Sequence, residues 1–283
     1  MKRLKLLLIA AASVALASCG TDEPIYDTPH PTQGKITLTT DWSKIGEGIT
    51  KPASYTIEIG GQKVTATADK YTIDNLFDAG TYRIYAYNTA EHITVADGVA
   101  TVAITAGVVA PMPGWLFSAS DEVEIKKDTH HEFTATMIQQ VRQLNIELTV
   151  TDGDINSIES ITASLSGVAN AMNLKDGTYS GTGLKVAPVF TKSGNKLIAS
   201  VRLIGITSEA QNLTLDINYT SGLPQQVTSD VSSKLTGFGT DKHIPLTLTG
   251  NISITSSGIG VNFDSEISGW ETQGDITIDP NEQ

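Results

Sequence analysis

The chain has 283 residues, of which 40% are hydrophobic and 18% are charged, so it carries enough apolar material for a packed core. Its formal net charge of -12 argues against nucleic acid as a partner, because phosphate binding needs a basic face. Its one cysteine excludes a disulfide framework and a cysteine-rich zinc site. No apolar run reaches the roughly 18 residues of a membrane-spanning helix.

The first strong local pattern lies at the N-terminus, where a basic start precedes an apolar stretch over residues 6–17. Such a stretch has the length of a signal-peptide core and is too short to span a bilayer. It ends in Leu16-Ala17-Ser18-Cys19, which resembles the lipoprotein box of bacteria. We therefore predict a signal peptide over residues 1–18, cleavage between Ser18 and Cys19, and acylation of Cys19. The alternative is an ordinary secretory signal with a cysteine there by chance.

Residues 19–34 are predicted to be a flexible tether behind the acylated cysteine. Pro24, Pro29 and Pro31 favour extended backbone over a folded element. The pair Asp22-Glu23 resembles the export signal that sends Bacteroidetes lipoproteins to the outer face of the outer membrane; the alternative is a solvated acidic linker. We expect a protein that is lipid-anchored in the outer membrane and exposed at the cell surface.

From residue 35 onward, apolar and polar residues alternate. This is the pattern of half-buried antiparallel strands, whereas parallel sheets give continuous apolar runs. Turn residues separate the alternating runs, and Gly60-Gly61 between two of them predicts a hairpin. The sequence therefore predicts an all-β fold with two antiparallel β-sandwich domains, over residues 35–138 and 139–283.

Two segments depart from this alternation. Val231, Leu235 and Phe238 have helical spacing behind Ser229-Asp230, which predicts a short capped helix. Apolar residues between 133 and 141 also have helical spacing, but interspersed threonines and flanking strands leave helix and strand both open.

Groups suited to catalysis or metal binding are scarce. In His130-His131-Glu132, the two imidazoles would point to opposite faces of a strand, so a shared metal ion is not expected. Residues 152–156 open like a calcium loop but lack its later glycine and glutamate, which favours an Asx-type turn. The sequence contains no nucleophile elbow, P-loop or dinucleotide-binding motif. We expect no enzyme activity, no metal and no cofactor.

Four tyrosines cluster around one predicted strand, namely Tyr71, Tyr82, Tyr85 and Tyr87. An aromatic surface of this kind could bind sugar. The favoured interpretation places the rings in the core and in one exposed cross-strand ladder. Because β-sandwiches host both arrangements, the sequence leaves the sugar-binding alternative open.

Six short segments follow one another along most of the mature chain. They are NLFDAGTY at 75–82, AYN at 86–88, PGWLF at 113–117, QVRQL at 140–144, ITASLSGVA at 161–169 and ISGW at 267–270. Together they resemble the fimbrillin-like lipoproteins of Bacteroidales, especially the anchor and accessory subunits of their fimbriae. The resemblance implies two transthyretin-like β-sandwich domains in tandem, export as a lipoprotein, and assembly with other fimbrial subunits.

The resemblance also implies assembly by strand exchange. In the family's stalk subunits, a protease removes the first strand at a basic residue, and a neighbour's strand then completes the sandwich. Here the first strand is predicted over residues 35–42, and Lys44 and Lys51 are the candidate processing sites. No arginine follows the signal until Arg83, which favours a subunit that keeps its first strand and its lipid.

The C-terminal segment carries Ile276 and Ile278 in alternation, either as a donated strand or as the last strand of the second domain. We therefore expect a non-enzymatic anchor or accessory subunit of a fimbria that supports cell adhesion. Its partners would be other subunits and, through acylated Cys19, the outer membrane. The alternative is a tip adhesin or other surface lipoprotein that binds a host glycan or protein.

Overall fold

The computed structural model describes residues 32–257 and 262–273 of the chain. Within these residues the fold is all-β, as predicted, and its few helical residues form 3₁₀ turns at Ile155–Ser157 and Ser232–Lys234. The strands up to residue 139 are β1 (Gln33–Asp41), β2 (Tyr55–Ile59), β3 (Gln62–Ala66), β4 (Lys70–Thr72), β5 (Phe77–Asp78), β6 (Gly80–Tyr87), β7 (Ile93–Ala96), β8 (Val99–Val102), β9 (Ile104–Thr105), β10 (Val108–Val109), β11 (Phe117–Ile125), β12 (His130–Thr136) and β13 (Ile138–Gln139).

The remaining strands begin with the long strand β14. They are β14 (Arg142–Asp152), β15 (Ile158–Ser166), β16 (Val168–Ala169), β17 (Ala171–Asn173), β18 (Tyr179–Ser180), β19 (Lys185–Val186), β20 (Thr191–Ser193), β21 (Lys196–Leu203), β22 (Gly205–Ile206), β23 (Asn212–Tyr219), β24 (Gln225–Asp230), β25 (Leu246–Ser257) and β26 (Asn262–Gln273).

The first core lies between two sheets, one ordered β12-β1-β4 with β5 also paired to β1, the other ordered β13-β11-β6-β2-β3. Alternate side chains of these strands point inward, as period-two patterning requires. Its buried residues are Ile36, Leu38, Tyr55, Ile57, Ile59, Ala66, Ile73, Phe77, Ile84, Ala86, Phe117, Val123, Ile125 and Met137.

The second core is larger and lies mainly between the sheets β24-β23-β15-β19-β10-β9 and β20-β21-β14-β25-β26. A smaller sheet, β18-β17-β8-β7, and the β16-β22 pair complete it. Buried residues of the second core include Leu144, Ile146, Leu148, Leu165, Leu213, Leu215, Leu246 and Leu248.

The sheets are mixed rather than purely antiparallel. Strand β1 runs parallel to β12, β14 runs parallel to β25, and β10 runs parallel to β19, while the other described pairs are antiparallel. Alternation reports only that one face of a strand is buried, so it carries no information on the direction of the partner.

The segment between β6 and β11 leaves the first core and joins the second. Strand β8 pairs with β17, and β10 pairs with β19. Strand β6 lies between the cores, with Ile84 and Ala86 in the first and Tyr87 in the second. Trp115 packs against both. The division of the chain at residues 138/139 therefore stays a prediction about domain boundaries.

The predicted hairpin at Gly60-Gly61 is confirmed. Strands β2 and β3 pair from Tyr55 with Ala66 to Ile59 with Gln62, and the two glycines turn the chain with φ of 57° and 76°. Two consecutive residues with positive φ define the tight turn whose twist matches that of the flanking strands.

The predicted short helix after β24 is wrong. Val231, Leu235 and Phe238 are fully buried, as their spacing implied, but the backbone forms only the 3₁₀ turn Ser232–Lys234. The Asp230 carboxylate accepts a hydrogen bond from the Ser232 amide at 2.8 Å, but the residue at the N-cap position of this turn is Val231, which has no capping side chain. A single short turn gains little from cooperative helix formation, so burial of the three side chains decides the local backbone.

Candidate functional site at the first strand and its loop

Strand β1 is an interior strand of the first core. It pairs in parallel with β12 over seven residues and in antiparallel with β4. Ile36 and Leu38 have no exposed surface. Thr37 lies on the opposite face, where its hydroxyl contacts the Thr72 hydroxyl at 2.6 Å and Nε2 of His130 at 2.7 Å. Both edges and both faces of β1 are therefore engaged.

This burial determines what removal of β1 would cost. Full burial of an isoleucine or a leucine side chain contributes about 1.5–3 kcal/mol relative to exposure. Loss of β1 would also leave the backbone groups of β12 and β4 without partners, and such unpaired edges attract another strand. The first core thus needs a strand at this position, whether its own or another.

The loop of residues 42–54 follows β1 and contains both candidate processing sites. Lys44 is exposed at its start. Lys51 is exposed as well, with its ammonium group paired to the Asp69 carboxylate and 5.6 Å from the Trp42 ring. Exposed loops are the sites where proteases act. A cut at either lysine would break the covalent connection between β1 and the rest of the chain.

The other predicted site residues lie outside the described residues. They are Ser18 and Cys19 at the predicted lipid attachment site, and Ile276 and Ile278 at the C-terminus. The last described strand, β26, pairs with β25 at the end of its sheet, and no other described strand pairs with its outer edge. Within residues 32–257 and 262–273, no helix is long and apolar enough to cross a bilayer.

His130 and His131 lie on strand β12 with different surroundings. His130 contacts Thr37, while Nε2 of His131 accepts a hydrogen bond from the Lys126 amide at 2.8 Å and its ring stacks on Phe133. The strand thus separates the two imidazoles. Across the described part of the chain, no three His, Cys, Asp or Glu side chains group to hold a metal ion.

The resemblance of residues 152–156 to a calcium loop reflects a turn. The Asp154 carboxylate accepts hydrogen bonds from the backbone amide of Asn156 at 2.9 Å and from its side-chain amide at 3.0 Å. This bonding caps the 3₁₀ turn Ile155–Ser157, which connects β14 to β15. An Asx turn accounts for the pattern, as favoured from the sequence.

The tyrosines of β6 do not share one face. The Tyr82 ring packs edge-on against Phe77, and its hydroxyl donates to the Asp78 carbonyl at 3.0 Å. Tyr87 is buried and donates to the Glu58 carboxylate at 3.0 Å, and burial raises the pKa of its hydroxyl. Tyr85 packs against the second core. The three rings serve packing rather than a common sugar-binding surface.

A buried arginine was not singled out from the sequence, although it lies in the QVRQL segment. Arg142 is fully buried at the start of β14. Its Nε donates to the Ile244 carbonyl at 2.8 Å, and its Nη1 donates to the carbonyls of Gly237 and Phe238 at 3.1 Å each. Arg142 thereby fixes the segment between β24 and β25, which the local sequence pattern could not reveal.

The same segment carries Lys242, a second residue without a sequence signal. Its ammonium group lies 3.1 Å from Oε1 of Gln140, 3.4 Å from Sδ of Met172 and 5.2 Å from the centre of the Tyr179 ring. Burial lowers the pKa of Lys242 from its ordinary value of 10.5 to about 8. The cause is desolvation, which disfavours the charged form.

Taken together, the two β cores and the embedded first strand define a tandem β-sandwich protein in which one interior strand comes from the chain's N-terminal end. The profile of the family "Fimbrillin-A associated anchor proteins Mfa1 and Mfa2" matches residues 54–276. The chain belongs to this family, which confirms the resemblance noted from its short segments.

Solved structures share the fold. A candidate adhesin from Bacteroides ovatus superposes with a TM-score of 0.60 at 16% identity, covering 79% of this chain and 90% of that one. A second candidate adhesin from B. ovatus has a TM-score of 0.59 at 9% identity, covering 84% and 95%. The fimbrial anchor protein Mfa2 from Porphyromonas gingivalis has a TM-score of 0.57 at 11% identity, covering 86% and 98%. No curated protein sequence matches the chain.

Proposed function

We propose that this chain is a non-enzymatic surface lipoprotein that acts as an anchor or accessory subunit of a fimbria and assembles by β-strand complementation. Membership of the fimbrial anchor family supports the fimbrial role. The observation that carries the proposal is the position of β1, an interior strand of the first core followed directly by an exposed loop. In this arrangement, β1 can either stay in its sheet or, after a cut in the loop, be replaced by a strand from another subunit.

The anchoring half of the proposal rests on Cys19. Acylation there, with several chains, holds a protein stably at a membrane, whereas one chain alone binds reversibly. Residues 19–32 then act as the tether, two residues fewer than the sequence predicted, because β1 and the first core begin at Gln33. In an anchor, β1 stays in place and the first core is complete without a neighbour.

The assembly half of the proposal concerns the C-terminal segment. Ile276 and Ile278 alternate with polar residues, which suits a strand that buries one face in a neighbouring subunit. The receiving surface is an open sheet edge or the position of a removed first strand. Backbone hydrogen bonds supply affinity in this mode, and the alternate side chains supply specificity.

Intact mass spectrometry of the protein recovered from its own cell surface tests the anchor role. We expect an acylated chain that begins at Cys19 and is uncut at Lys44 and Lys51. The Cys19→Ala variant should lose the lipid mass and leave the membrane. A wild-type chain that begins after Lys44 or Lys51 and carries no lipid would contradict the anchor role and place the subunit within the polymer or at its tip.

Donation by the C-terminal segment is tested with the Ile276→Asp/Ile278→Asp double variant. We expect a normally folded protein that no longer joins other fimbrial subunits. Thr277→Asp is the matched control, because it places a charge on the opposite face of the proposed strand. Assembly that survives in the double variant, together with a lower melting temperature, would assign the segment to the second domain instead.

Two solved relatives described as candidate adhesins favour the alternative function, a tip adhesin or other surface lipoprotein that binds a glycan or a host protein. A glycan array and a panel of matrix proteins, probed with the purified full chain, test it. Binding to a defined ligand would support it. No binding to any glycan or matrix protein would count against this alternative and favour the anchor role.

A further inference from the structure

Two adjoining cavities lie where β13, β18 and the segment before β25 meet. The Lys242 cavity, of about 460 Å³, includes Lys44, Gln140, Tyr179, Lys242 and His243 in its lining. The Trp115 cavity, of about 520 Å³, shares Gln139, Lys242 and His243 with it and adds Trp115 and Pro245. Both volumes fall within the range of small-molecule sites, about 300–1,000 Å³.

Lys242 stands at the junction of the two cavities and carries a charge that no carboxylate of the described residues neutralises. Its contacts there are the carbonyl and side-chain oxygen of Gln140 and the sulfur of Met172, all of them neutral groups. Sequestering an ammonium group from water without a counter-charge is costly. An anionic group entering either cavity would therefore be bound in place of water.

The charges around Lys242 favour an anion as well. Lys44 and Lys242 are the lysines that line the Lys242 cavity, with Asp241 as its acidic residue. Glu47 is the acidic residue lining the Trp115 cavity. Lys242 lies in the lining of both cavities, in a chain whose overall charge is -12. A single carboxylate matches this arrangement, whereas a phosphate is recognised best by an arginine fork, which neither cavity offers.

The rest of the lining suits a sugar. The Gln140 amide and the hydroxyls of Thr136 and Tyr179 can exchange hydrogen bonds with sugar hydroxyls. Trp115 and Pro245 supply apolar surface in the second cavity. A few polar groups that fix orientation, next to apolar and aromatic walls, are characteristic of ligand sites.

We propose that the Lys242 and Trp115 cavities form a binding site for an acidic glycan, with a uronic-acid carboxylate paired to the ammonium group of Lys242. The loop of residues 42–54 contributes Lys44, Glu47 and Ile49 to the cavities, whereas Lys242 and Trp115 lie outside that loop. The proposed pairing with Lys242 therefore does not depend on whether the subunit is an anchor or an accessory component.

The test is isothermal titration of the full chain with trigalacturonate and with its fully methyl-esterified form, which has the same rings but no charge. We expect binding of the acid that is at least tenfold tighter than binding of the ester. Lys242→Gln should weaken acid binding at least tenfold. Lys127→Gln, which removes an exposed charge from the turn after β11 outside both cavities, should leave it unchanged.

Three results would overturn the proposal: no binding of the acid, equal binding of acid and ester, or unchanged binding by a Lys242→Gln protein with the wild-type melting temperature. If the Lys242→Gln protein does not fold, the Lys44→Gln variant tests the proposal instead, because the Lys44 side chain is exposed. Lys44→Gln should weaken acid binding at least threefold without changing the melting temperature. Unchanged affinity in that variant would contradict the site.

Discussion

The two cores are built from the chain in different ways. The first core has an interior strand, β1, that lies at the very start of the described chain. This strand could therefore join or leave its sheet without other described strands having to move through the core. The second core instead incorporates a segment from the middle of the first half, β7 to β10, held by loops at both ends. Among the described strands, β1 is thus an interior strand that is connected to the rest of its core at one end, which is what the proposed strand exchange requires.

The largest expected effect comes from placing a charge in the interior strand of each core. Leu38→Asp on β1 and Leu148→Asp on β14 each put an unpaired carboxylate at a fully buried position, which costs more than about 4 kcal/mol. We expect each variant to lose its own core, as seen by hydrogen exchange. A synthetic peptide of residues 33–42 should restore protection in Leu38→Asp, whereas a peptide of residues 142–152 should not rescue Leu148→Asp. If the peptides restored protection in both variants, or in neither, the proposed difference between the two cores would be wrong.

Arg142→Met tests how the second core holds its last connection. The change removes three hydrogen bonds from a charged donor to buried carbonyls, and hydrogen bonds to charged groups contribute about 1.5–3 kcal/mol each at most. Because methionine keeps the packing, we expect a net loss of about 2–4 kcal/mol by urea unfolding. The loss of protection should be confined to the second core; a matching loss in β1 and β2 would show that the cores unfold as one unit.

Lys242→Met tests the buried ammonium group at the junction of the two cavities through the pH dependence of stability. The pKa of Lys242 is lowered on folding from 10.5 to about 8, so between those values the unfolded chain binds a proton that the folded chain does not. Stability contributed by this residue therefore rises with pH across that window, and the full cost is present below about pH 8. We expect the variant to be more stable than wild type by up to about 3 kcal/mol at pH 7, with the difference shrinking near pH 10.5.

Urea unfolding at both pH values checks this prediction. Lys127→Met is the control, since its side chain is exposed in a turn. A variant whose advantage is the same at pH 7 and pH 10.5 would mean that packing, not charge, sets the effect.

The smallest expected effect is that of Lys51→Ala in the loop after β1. The ion pair with Asp69 joins two side chains that are 42% and 53% exposed, and such surface pairs contribute about 0–1 kcal/mol. Thermal unfolding should therefore change by a degree or two at most, whereas digestion by a lysine-specific protease should move entirely to other sites such as Lys44. A large loss of stability would show that the loop supports the first core more than its exposure implies.

Much of the fold could be predicted from the sequence, because alternation of apolar residues is a local property of each strand. The hairpin at Gly60-Gly61 and the strands containing Leu144 and Leu213 follow from it directly. The parallel partners of β1 and β14, and the transfer of β7–β10 to the second core, could not be predicted, because pairing depends on residues far apart in the chain. The helix prediction for residues 231–238 was wrong for a related reason. The spacing of the apolar residues showed which side chains are buried, but it did not determine the backbone conformation that buries them.

The residues of the candidate site also differ in whether the sequence could predict them. Strand β1 and the lysines behind it were identified from a family resemblance, and the structure places them in one sheet and one exposed loop. Arg142 and Lys242 carry no local pattern, since their partners lie about 70 to 100 residues away in the sequence. Cys19, Ile276 and Ile278 lie outside the described residues, so their roles remain predictions.

The parallel pairing of β1 with β12 also sets how the first core responds to tension. The chain enters β1 at Gln33 and leaves β12 at Thr136, at opposite ends of the paired ribbon. A pull between the N-terminal end and the second core therefore acts along the strands, so the hydrogen bonds between them are sheared together. Antiparallel strands at the same positions would place both pulling points at one end and open the bonds one after another. The geometry thus makes the first core a mechanical clamp against stretching from its N-terminal side.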